Sequence, residues 1–148
     1  MPSIRTPMIQ ASFLIAIFAC CQSGTPVYAQ ADGPTLGTQK SESGIRHSFL
    51  VTGSITAIIG EDNRVQWQVP GRSRDGFVLP NGNVLVSIEN SAREYTRDGK
   101  LVFQYKLDPV NKELGTVVRL QGGNTMVVER GAKPRILEIT PAGEIAVD

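Results

Sequence analysis

The sequence predicts an all-β protein with an internal repeat, and three observations predict it. From residue 48 onward, short β-rich runs follow one another with no helical period of useful length. The runs are divided by turn formers such as Asn81-Gly82, Asp98-Gly99 and Gly122-Gly123, residues that supply the positive φ angles of tight hairpins. The turn sequences also recur. The stretch from Leu79 to Val86 aligns with that from Leu120 to Val127 at an offset of 41. The stretch from Glu94 to Leu101 aligns with that from Glu138 to Ile145 at an offset of 44. A fainter copy sets residues 61–69 against 97–105 at an offset of 36, with Trp67 where Phe103 stands. Four short strands recurring about every 40 residues are the signature of a propeller blade. The expected fold is therefore a partial β-propeller of about two to three four-stranded antiparallel blades, after an N-terminal signal helix and disordered linker.

The strands expected in the first unit are 48–52, 54–59 and 64–69, closed by a turn at Glu61-Asp62-Asn63. They are the last three strands of a blade. The middle unit has 76–79 as inner strand, then 84–88, 93–96 and 101–107, with turns at 80–83 and 97–100. The third unit has 116–120, 125–129, 135–140 and 144–147, with turns at 121–124 and 141–143. The loop Gly131-Ala132-Lys133-Pro134 accounts for the longer spacing of its second half. A blade has apolar residues on both faces and needs a neighbour on each side. Closed propellers have about 4–8 blades, so fewer than three cannot close a ring. A homo-oligomer that completes a ring is one expected solution, and open end faces should be adhesive.

The first 29 residues read as a signal peptide. Arg5 precedes an apolar run, Ala11 to Cys21, whose eleven residues are too few for the ~20 that span a bilayer. Val27-Tyr28-Ala29 places small residues for cleavage after Ala29. A competing reading takes Ile17-Phe18-Ala19-Cys20 as a lipoprotein cleavage box, with Cys20 as lipid anchor and Phe18 as its departure from pattern. The expected location is secreted or periplasmic, with a membrane-anchored lipoprotein as alternative; membrane contact is expected only through a lipidated Cys20. Residues 30–46, rich in Gly, Pro and Ser, read as a flexible linker. Residues 47–148 form the repeat domain.

Composition narrows the function. The 148 residues carry 15 Lys and Arg against 14 Asp and Glu, a net charge of +1, which gives no electrostatic reason to expect nucleic acid. Aromatics are 6%, too few for a base-stacking platform. Both cysteines, Cys20 and Cys21, lie in the leader, so the body has neither a disulfide nor a Cys metal site. No cofactor or metal is expected.

The segment from Glu61 to Asp148 resembles the quinoprotein-type (PQQ-like) and arylsulfotransferase-like repeats of secreted bacterial β-propellers. The resemblance rests on Val65-Gln66-Trp67, Arg74-Asp75-Gly76, Leu79-Pro80-Asn81-Gly82-Asn83, Glu94 to Gly99 and Arg119 to Thr125. These features build blades and imply an exported propeller without specifying chemistry. A quinoprotein dehydrogenase implies a full ring around its cofactor, a metal and a catalytic acid. A sulfotransferase of that type implies a histidine carrier, and the one histidine is His47, outside the blade hairpins. No functional residue carries over from either family.

The remaining candidates are few. His47 is expected at an exposed strand edge, with no catalytic partner close in sequence. Trp67, Phe103 and Tyr105 could line a sugar-binding surface, but packing between blades is the favoured role, with Phe103 or Tyr105 partly exposed. Arg72, Arg74 and Asp75 form a candidate binding rim in a loop before the middle unit. Asp62, Asp98 and Asp108 lack the dense acidic spacing of a calcium loop. Glu89, Glu94 and Glu129 are expected to pair with Arg93, Arg119 and Arg130, each pair contributing ~0.2–1 kcal/mol. The function read from this is an exported non-catalytic propeller module that contacts protein or glycan. The alternative is a truncated domain of a secreted enzyme of quinoprotein, sulfotransferase or polysaccharide-lyase-associated type.

Overall fold

The computed structural model describes residues 40–148. The signal segment 1–29, the anchor candidate Cys20 and linker residues 30–39 lie outside the described residues. Residues 40–46 are exposed and contain a turn and no strand.

Eleven strands and no helix make up the described residues. They are β1 (Phe49–Val51), β2 (Thr56–Ile59), β3 (Val65–Val69), β4 (Ser73–Val78), β5 (Val84–Ile88), β6 (Ser91–Tyr95), β7 (Leu101–Lys106), β8 (Asn111–Arg119), β9 (Thr125–Gly131), β10 (Arg135–Ile139) and β11 (Ile145–Val147). Chain neighbours pair antiparallel into three sheets: β1-β2-β3, β4-β5-β6-β7 and β8-β9-β10-β11. No sheet closes into a barrel; the protein is all-β, a partial propeller whose first blade has three strands.

One turn geometry is used five times. The N–H of Gly60, Leu79, Thr96, Leu120 and Thr140 donates to the carbonyl four residues on, and the N–H three residues on donates back. The third residue after each start has positive φ: Asn63, Gly82, Gly99, Gly123 and Gly143. This is a type I turn closed by a left-handed residue, a hairpin that glycine forms without steric cost and asparagine tolerates. The repeat seen in the sequence is thus a repeat of hairpins.

The sheets stack in chain order, and the pleat divides each strand between two neighbours. Val84, Val86 and Ile88 of β5 join Ile58, Trp67, Val69 and Tyr95 in a seam between the first and second sheets. The Trp67 and Tyr95 rings meet edge to face with centroids 6.2 Å apart. Leu85 of β5 points the other way, into a seam with Ala92, Phe103, Tyr105, Leu114, Val117, Val127, Leu137 and Ile139. All five residues of β5 are therefore buried, as expected of a strand covered on both faces. Burying one such large side chain contributes roughly 1.5–3 kcal/mol, so the seams carry most of the cohesion.

Three expectations need correction. β4 starts at Ser73 and not at Gly76, because a bulge between Ser73 and Asp75 keeps this polar stretch in register with β5. β8 starts at Asn111 and not at Thr116; two bulges let it continue through Lys112, Glu113 and Gly115. Phe103 and Tyr105 are both buried, because both face the third sheet.

Candidate binding cleft

Of the rim residues, Arg74 and Asp75 lie on β4, and Arg72 stands in the segment just before it. β4 and the segment before it bring Arg74 and Arg72 to the boundary of the second and third sheets, where both are exposed. There they line a cleft of about 350 Å³ with Ser73, Ser87, Glu89, Glu113 and Leu114. Asp75 stands apart from the cleft. One of its carboxylate oxygens accepts the Gly76 N–H at 2.9 Å, and the other accepts the Val117 N–H of β8 at 3.2 Å. It stitches two sheets together and does not face a ligand.

The charges in the cleft are mostly matched. Glu113 pairs with Arg74 at 2.5 Å and with Arg130 at 3.1 Å. Glu89 lies 3.6 Å from Arg93. Among the described residues, Arg72 has no ion-pair partner and is the cleft's open cation. Of the sequence-predicted pairs, Glu89–Arg93 and Glu94–Arg119 form. Glu129 pairs with Arg135 at 2.8 Å and not with Arg130. Adjacent strand residues point to opposite faces, so Arg130 turns away from Glu129, whereas Arg135 is its cross-strand neighbour.

Glu129 is the centre of a buried network that sequence reasoning missed. It is fully buried and accepts hydrogen bonds from Tyr105 Oη at 2.7 Å, the Asp108 N–H at 3.0 Å, Asn111 Nδ2 at 2.7 Å and the Arg135 guanidinium. Burial alone would raise its pKa. The hydrogen bonds from Asp108, Tyr105, Arg135 and Asn111 outweigh it and hold the carboxyl at about 2. Burial, and then the Glu129 carboxylate, push the Tyr105 phenol well above its ordinary range. At the offset of 41 the counterpart of Glu129 is Ile88, so this network replaces an apolar contact of the other seam.

A second recurring element surrounds Glu94, which is nearly buried. It accepts from Asn83 Nδ2 of its own sheet at 2.6 Å and pairs with Arg119 of the next sheet. Arg119 also donates to the Gly123 carbonyl at 2.8 Å, with its guanidinium carbon 5.3 Å from the Phe103 ring centre. In the third sheet, Asn124 Nδ2 donates to Glu138 at 2.7 Å, repeating the Asn83–Glu94 contact. Both pairs sit in the aligned stretches, so their joint recurrence was the available signal. His47 is exposed just before β1, as expected. Trp67 is fully buried, in the packing role the sequence favours. Among the described residues, no group of three or more His, Cys, Asp or Glu is placed to hold a metal ion, and no helix is long and apolar enough to cross a membrane.

No protein-family model matches the chain, and a search of curated proteins finds no match. Among solved structures it is similar to the crystal structure of a protein of unknown function from Bacteroides caccae, at 25% identity and a TM-score of 0.57. The likeness covers 68% of this chain, and the chain spans 39% of that neighbour's length.

Proposed function

We propose that this is an exported, non-catalytic propeller-type module whose cleft between the second and third sheets contacts a protein or glycan through an anionic group. One observation carries the reading: in a cleft whose carboxylates are already paired, Arg72 is exposed and without an ion-pair partner among the described residues. An arginine so placed binds a carboxylate by two parallel hydrogen bonds. Ser87 is buried in the cleft wall with its hydroxyl accepting the Asp75 N–H at 3.0 Å, which leaves the Arg72 guanidinium as the group open to a ligand. The buried acids Glu94 and Glu129 are held by arginines and serve the stacking of sheets. Export rests on the leader sequence of residues 1–29.

The test is an NMR titration with two probes, a uronic-acid oligosaccharide and an Asp/Glu-rich peptide. Amides at 72–75, 89 and 113 should shift with at least one probe, and Arg72→Ala should weaken that binding about tenfold or more. Shifts confined to other surfaces, or binding unchanged in Arg72→Ala, would overturn the assignment of the cleft.

A further inference from the structure

We infer that the outward face of the third sheet is a docking surface for a further blade of the same repeat, one that presents an arginine from its inner strand to Glu138. The argument is continuity with the seam already described. The face that the second sheet turns to the third carries Leu85, Ala92, Glu94 and Phe103. At the offsets of 41 and 44 their counterparts are Met126, Ile136, Glu138 and Val147. The register places Glu138 opposite Met126 on one side and Val147 on the other, so these positions share one face. The pleat sends their chain neighbours Val127, Leu137 and Ile139 into the inner seam, where all three are buried. On the outward face Ile136 is 65% exposed and Val147 55%. Their counterparts Ala92 and Phe103, covered by a following sheet, are 0% and 6% exposed.

Charge selects the occupant. Glu94 is held from one side by Asn83 and from the other by Arg119, which arrives from the next sheet. Glu138 has the first half of this arrangement, Asn124, and no cation pairs with it among the described residues. An acid in the middle of an apolar face calls for a cation when that face is covered. A second copy is poorly suited to supply it. Its own third sheet would bring another Glu138 against the first. Its first sheet lacks the inner strand on which Arg119 stands in the third. The occupant that fits is a following repeat unit with an inner-strand arginine.

A tandem extension tests this with the chain's own residues. The offset of 44 puts Asp148 where Gln104 stands, so a copy of residues 105–148 appended after Asp148 continues the register and brings its own Arg119 to Glu138. Unfolding midpoint and hydrogen exchange are compared for the full chain and the extended chain. The extended chain should show protected amides in the appended strands and a midpoint raised by about 4 °C or more. Arg119→Met confined to the appended copy should remove most of that gain, and Glu138→Gln should remove no more once the arginine is gone. Unprotected appended strands, or an unchanged midpoint, would overturn the proposal. So would a stable dimer of the unextended chain that Ile136→Asp dissolves, since the occupant would then be a second copy.

Discussion

Glu129→Gln removes one charge from the second seam and leaves its shape almost unchanged. In the folded protein the Glu129 carboxyl sits at about 2 against an ordinary value of 4.5. At about 1.4 kcal/mol for each pH unit, that difference corresponds to about 3 kcal/mol of folding stability. A folded-state value below the unfolded one stabilises at pH above the unfolded value. The contribution is complete above about pH 5 and fades as the pH falls from 4.5 toward 2. The size agrees with the about 3–5 kcal/mol expected when a buried ion pair loses one partner. Glutamine keeps one acceptor oxygen but turns an NH2 toward Arg135 or Asn111, both of which donate. Urea unfolding is followed by circular dichroism at pH values from 7 down to 2, for wild type and variant. The wild type should be more stable by about 3 kcal/mol at neutral pH, and the gap should close as the pH approaches 2. A gap below about 1 kcal/mol at pH 7, or one that does not change with pH, would refute the assignment of a deprotonated, network-held Glu129.

Tyr105→Phe should cost about 1 kcal/mol in the same assay and should move the acid limb of the stability profile upward, because Glu129 loses one of its donors. Trp67→Ala should cost about 3–5 kcal/mol, measured by urea unfolding, since it empties the centre of the first seam. Trp67 is the one tryptophan of the chain, so emission in the wild type should be blue-shifted when folded and should move to the red as the first seam opens.

The architecture was legible because turn chemistry is local. Gly82, Gly99, Gly123 and Gly143 each mark a left-handed position that few other residues accept, and the hairpins between them follow. The third member of the pattern in the first sheet, Asn63, shows that the signal survives a change of residue. The strand starts at Ser73 and Asn111 were not legible. Polar, bulged stretches look like loops until a partner strand supplies the ladder, and no local pattern reveals that partner. For the same reason Arg74 was found as a residue while its strand setting was missed, and Asp75 was grouped with it although Val117, far along the chain, engages it. The Glu129 network draws on Tyr105, Asn111 and Arg135, whose meeting depends on the stacking of two sheets. A mismatch between Ile88 and Glu129 in otherwise aligned strands was the one trace of it in the sequence.

That mismatch has a consequence for how the units recognise their neighbours. Hairpin backbones of identical form could in principle be shuffled like interchangeable bricks. Here Ile88 meets the preceding sheet with hydrocarbon, whereas Glu129 meets a phenol and a guanidinium, so the two joints are not interchangeable. The order of the bricks is thereby written in their side chains. A gene that swapped two of them would encode the same hairpins and strand a carboxylate against a hydrocarbon wall.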